Sequence, residues 1–129
     1  MLESGIKGSQ SIVVKKANCA KAMGSGTLEV FATPAMIALM EQTAWQSVTP
    51  YLEEGQTTVG TKLDISHFSP TPLGATVTCK SILTQVDGRR LVFDVTASDD
   101  DVIIGKGRHE RFIVQADSFQ KKANKKLPT

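Results

Sequence analysis

The sequence predicts an α+β domain in which one long helix is wrapped by a curved, mostly antiparallel sheet of five to six strands. Three observations lead there. Only residues 33–48 carry a helix-length apolar pattern, alternating or β-prone runs fill most of the chain after residue 56, and one short β-prone run precedes the helix. At 129 residues, with 40% hydrophobic and 22% charged side chains, the chain fits one core, and residues 1–120 are read as one domain.

The first strand is expected within Ser9–Lys16, where Ile12, Val13 and Val14 cluster. Residues 17–30 are poor in signals, and Gly24-Ser25-Gly26 reads as loop. Phe31-Ala32-Thr33-Pro34 is a helix start, with Thr33 as N-cap and Pro34 at the first helical position. The helix should end before Thr49-Pro50, near Val48. At 100° per residue, Ile37, Met40, Ala44 and Val48 form one stripe, and Met36 and Leu39 lie off it. A helix apolar over so much of its circumference is a buried one.

From Thr57 to His67 the residues alternate, with Val59, Thr61, Leu63, Ile65 and His67 on one face. A proline-stiffened turn spans Ser69 to Gly74, and strands follow over Thr76–Val86, around Leu91–Ala97, and over Val102–Val114. Asp87-Gly88 marks a hairpin, Asp99-Asp100-Asp101 another turn, and Gly105 and Gly107 a bulge or a close backbone approach. One helix embraced by such a sheet is the hot-dog arrangement. A ferredoxin-like sandwich would need a second long helix.

Charge and cysteine content narrow the function. Residues 115–129 hold four lysines and one acid, a net +3, so residues 1–114 are at −1. A nearly neutral body with a lysine tail does not resemble a nucleic-acid-binding domain, and residues 121–129 are read as a flexible terminus. No apolar run approaches the roughly 20 residues that cross a bilayer, and no signal peptide opens the chain. Cys19 and Cys79 are spaced neither as a disulfide framework nor as metal ligands, so a reduced, cytoplasmic protein without a metal site is expected.

Glu41 lies about 40° from Ile37 on the helical wheel, inside the apolar stripe. Desolvating a glutamate costs several kcal/mol, so it needs either a structural partner, such as backbone or an arginine, or a catalytic role as acid or base. His67 ends an alternating strand in phase with its inward residues, where a histidine either serves structure or moves a proton. Thr33 is first of all a cap, beside free helical N–H groups that can receive an anion or a carbonyl oxygen. His109 and Arg111 share a face of the last strand with Gly105 and Gly107, and Arg111 is expected to pair with a nearby acid or to hold a phosphate. Arg89 and Arg90 are read as solvated. No G-x-S-x-G, P-loop, H-E-x-x-H or G-x-G-x-x-G signature occurs.

Phe31-Ala32-Thr33-Pro34, Leu39-Met40-Glu41, Gly60-Thr61, His67, Asp87-Gly88-Arg89-Arg90-Leu91 and Gly105 to Arg111 together resemble the fluoroacetyl-CoA thioesterase-like family of hot-dog proteins, over about residues 28–120. The resemblance implies a catalytic trio of Thr33, Glu41 and His67, a small or medium acyl-CoA substrate, no cofactor, and a homodimer with active sites at its interface. It also implies that His109 and the backbone of Thr58, Val59 and Gly60 lie where the family contacts acyl-CoA; Arg111, on the strand of His109, is taken as a further substrate-binding candidate. The family's fluoroacetate-specific members carry a phenylalanine-rich lid before the helix, whereas this chain has Ala22-Met23-Gly24-Ser25-Gly26-Thr27 there. The resemblance therefore extends to thioester chemistry and not to fluoroacetyl-CoA itself. The alternatives are a non-catalytic acyl-CoA sensor and a hot-dog hydratase or dehydratase.

Overall fold

A computed structural model describes residues 1–128 and contains a five-stranded antiparallel sheet with the hot-dog architecture. The strands are β1 (Lys7–Val13), β2 (Gln56–His67), β3 (Thr76–Asp87), β4 (Arg90–Asp99) and β5 (Val102–Gln115). Their spatial order is β1-β3-β4-β5-β2, which leaves β1 and β2 as the two edges. Short helix α1 (Ala20–Met23) precedes the central helix α2 (Thr33–Val48), and α3 (Ala116–Asn124) follows β5. The 17–30 segment is more ordered than its sequence signals imply. Its ends are tied by single bridges, Cys19 to Phe31 and Val30 to Pro72.

Helix α2 ends where expected and starts one residue early, but it buries a different stripe. Its core-facing residues are Ala35, Met36, Leu39, Met40, Thr43, Ala44 and Val48, and Met36 and Met40 are both completely buried. The stripe is thus rotated by about 80° from the expected one, toward Met36 and Leu39. Each large side chain moved out of water this way contributes about 1.5–3 kcal/mol. The rotation carries Ile37 and Glu41 to the margin of the buried face, so Glu41 is half-exposed rather than enclosed.

The start of α2 departs from the expectation too. Ala32, not Thr33, is the N-cap, with extended backbone and no side-chain cap, and Thr33 already lies in the helix. The Thr33 hydroxyl is instead drawn to His67, a partner from β2 that capping rules do not contain.

On β2 a register shift between Gly60 and Lys62 makes Thr61 an extra residue against β5. The bulge reverses the alternation. Thr58 and Gly60 therefore share the inner face with Leu63, Ile65 and His67, opposite Ile113, Arg111, His109, Gly107 and Gly105 respectively. Val59 pairs with Phe112 on the outer face, contrary to the simple alternation. Gly107 reflects the close approach of β2: a Cβ there would lie 2.0 Å from the Asp64 carbonyl oxygen. Arg90 is not simply solvated, since it bonds Glu110 across the strands at 2.9 Å.

Candidate active site

Two clusters of polar side chains lie along α2. At its N-terminus, Thr33 Oγ1 and His67 Nδ1 are 2.7 Å apart. The last residue of β2 and the first turn of α2 make this contact because the inner face of β2 points at the helix. His67 Nε2 is buried without a hydrogen-bond partner. Burial pushes the His67 pKa below the ordinary histidine range, against a smaller opposing pull from the Ser69 backbone. The neutral ring is therefore favoured, and its Nε2 is left unpaired.

Helix geometry adds donors here. The Thr33 and Ala35 amides belong to the first turn and have no intrahelical acceptor, whereas Pro34 has no N–H. A cleft of about 270 Å³ adjoins them, lined among others by Phe31, Thr33, His67, Phe68 and Pro70.

The second cluster centres on Glu41. Its Oε2 lies 3.5 Å from Arg111 Nη1, with the Glu41 side chain 37% exposed and that of Arg111 only 7%. Arg111 Nε donates to Thr58 Oγ1 at 2.8 Å and its Nη2 to the Thr58 carbonyl at 3.0 Å. Its Nη1 also faces His109 Nε2 at 3.1 Å. Gly60 leaves room for the carboxylate, because a Cβ there would sit 2.6 Å from Glu41 Oε2. The acid pairing expected for Arg111 is thus present, and its partner is Glu41.

The residues singled out in the sequence fall into three places. Thr33 and His67 form one pair, while Glu41, Arg111, His109, Thr58 and Gly60 form the other. The Val59 side chain points away from both, so only its backbone is available to a ligand. His109 is fully buried. Within one chain the two clusters do not meet, because Thr33 and Glu41 are separated by about 12 Å of helix rise. Among the described residues, no group of three or more potential metal ligands occurs.

His109 is buried and His67 is partly so, and in both the loss of water around the ring disfavours protonation in the folded state. The unfolded chain binds these protons first. Stability is accordingly expected to be complete above about pH 6.5 and to decline as the pH falls through that value toward the lower folded-state pKa values. Chemical denaturation at pH 7 and pH 5.5 checks this; a midpoint that rises on acidification would contradict it.

The family described as fluoroacetyl-CoA-specific thioesterase matches residues 14–117. The fluoroacetyl-CoA thioesterase of Streptantibioticus cattleyicolor is 42% identical over 100 residues, 78% of this chain and 72% of that protein. The solved structure of the fluoroacetyl-CoA thioesterase FlK is similar with a TM-score of 0.93 and 34% identity, covering 99% of each chain. A Thermus thermophilus member of the thioesterase superfamily, at 23% identity, covers 97% of this chain and 93% of its own with a TM-score of 0.88, a likeness of fold alone.

Proposed function

Because the chain belongs to the fluoroacetyl-CoA-specific thioesterase family, we propose that it hydrolyses a small or medium acyl-CoA with Glu41 as base or nucleophile. A FlK variant solved with acetyl-CoA, similar to this chain at TM-score 0.93 and 33% identity, supports an acyl-CoA ligand. The observation that carries the assignment is the Glu41 carboxylate. It is partly exposed, pinned beside a buried guanidinium, and kept clear by a glycine.

In the general-base route Glu41 takes a proton from water as the water oxygen attacks the thioester carbonyl carbon. The carbonyl π electrons move to oxygen, and the free amides of the first α2 turn and the Thr33 hydroxyl receive that charge. Collapse of the tetrahedral adduct breaks the C–S bond, and the proton on Glu41 goes to the departing thiolate. In the nucleophilic route the carboxylate attacks the carbonyl, expels the thiolate and forms an anhydride, which water then opens. His67 assists proton movement and holds the Thr33 hydroxyl toward the substrate.

Either route needs Glu41 near Thr33 and His67, and a second copy of the chain supplies that proximity. A two-fold axis passing near Ile37, perpendicular to α2, exchanges position 33 of one helix with position 41 of the other. Large apolar side chains on α2 and β2 are open to such pairing. Trp45 is 40% exposed and Leu63, on the inner face of edge strand β2, is 42% exposed. The open β2 edge offers backbone donors and acceptors as well. The active form is accordingly a homodimer with two composite sites, each using Glu41 from one subunit and Thr33 with His67 from the other.

Thiol release from acetyl- through medium-chain and aryl-CoA tests the reaction. Hydrolysis of at least one short or medium substrate is expected, with the preferred length set by the cleft beside Phe31 and Phe68. Binding without release from any substrate would contradict the enzymatic reading and favour a sensor.

A further inference from the structure

We propose that His109 is a positioning residue that sets the place of Glu41 through Arg111. The proposal rests on the reading of Glu41 as the reactive carboxylate, and it gives His109 a role other than contact with the ligand. Its imidazole is fully buried and stacks on Phe93 with ring centroids 6.3 Å apart and planes inclined by 29°.

Its hydrogen bonds define a single tautomer. Nδ1 lies 2.9 Å from the Lys62 carbonyl oxygen, which only accepts, so Nδ1 carries the hydrogen. Nε2 faces Arg111 Nη1, which only donates, so Nε2 presents its lone pair. The two contacts demand the same form. An imidazolium would set N–H against N–H and place one cation beside another.

The β2 bulge belongs to the same device. An extra residue at Thr61 interrupts the ladder, and the nearby Lys62 carbonyl receives the imidazole while the Thr61 hydroxyl bonds the Glu110 carbonyl at 3.2 Å. Arg111 is thereby fixed at three points, two on Thr58 and one on His109. One Nη1 hydrogen goes to the imidazole, leaving the other for the carboxylate of Glu41. The charged groups around the ring are Arg111 and Glu110 on β5 and Glu41 on α2, with Phe93 of β4 and the Lys62 carbonyl of β2 completing its surroundings.

The experiment has two arms on the full-length protein. Long-range ¹H–¹⁵N spectra of the wild type, with labelled histidine, should show His109 neutral with hydrogen on Nδ1 from pH 7.5 down to about pH 6.5, where an ordinary histidine is half protonated. Hydrogen on Nε2, or an imidazolium in that range, overturns the proposal. The second arm compares His109→Gln, whose amide reaches the Nε2 position and keeps an acceptor for Arg111, with His109→Asn, which keeps only the Lys62 bond. With both variants folded by circular dichroism, kcat should fall about 10- to 100-fold in the asparagine variant with little change in KM, and several-fold at most in the glutamine variant. Equal losses in the two, or a change confined to KM, overturn the positioning role. If either variant fails to fold, the wild-type spectra still decide the tautomer on which the role depends. The failures are distinguishable. Unchanged turnover in Glu41→Gln removes the role of Glu41 and the proposal with it, whereas an inactive Glu41→Gln beside equal asparagine and glutamine losses removes only the role of His109.

Discussion

Glu41→Gln is expected to lower kcat for acyl-CoA hydrolysis by about 10³-fold while leaving the fold intact. Glutamine keeps the size and one oxygen of the side chain, so the contact toward Arg111 Nη1 is retained in form. What disappears is the lone-pair basicity that either takes a proton from water or attacks the thioester. The side chain is 37% exposed, so the substitution leaves no buried cavity, but it removes the charge facing the buried Arg111 guanidinium and should lower the melting temperature modestly. Steady-state thiol release together with acyl-CoA binding measures the two halves of the claim. Binding retained with turnover lost is the expected pattern, and near wild-type kcat would contradict the role.

The sequence made most of the frame legible. The single long helix is bounded to within one residue because Pro34 and Thr49-Pro50 punctuate it, and proline acts through local sterics that need no tertiary context. The hairpin near Asp87-Gly88 and the turn at the aspartates were also local matters. Phase along the elements was less accessible. Helix α2 is apolar nearly all round, so its periodicity contained little information about which side meets the sheet, and the buried stripe centres on Met36 and Met40 instead of Ile37. Along β2 the alternation read correctly from Leu63 to His67, but it placed Val59 inward in place of Thr58 and Gly60 because one extra residue at Thr61 leaves no mark in polarity. Ordering of residues 16–23 and the helix Ala116–Asn124 carried equally weak signals, being short or polar.

The candidate site shows the same division. Glu41, His67, Arg111 and Thr33 stood out because a polar residue amid apolar ones, or at a helix start, demands an explanation. The partners were another matter. That the Thr33 hydroxyl reaches His67, and that Arg111 joins Glu41 to His109, follows from β2 and β5 lying beside each other and α2 crossing them, which no spacing in the chain encodes. The separation of Thr33 from Glu41 along α2 appears in the sequence as eight positions. Its consequence becomes visible only when the helix is placed against the sheet.

Each active site is expected to draw Glu41 from one subunit and Thr33 with His67 from the other, and complementation between inactive variants tests this most directly. Glu41→Gln and His67→Ala homodimers should each be nearly inactive, since every site in either has lost one essential group. In a heterodimer of the two, a composite arrangement gathers both lesions into one site and leaves the second site wild type. Purified heterodimers made with two affinity tags should therefore recover about half the wild-type turnover per dimer. Recovery to that level is the result this account predicts. Heterodimers as inactive as the parent variants would mean that each chain completes its own site, and would contradict it.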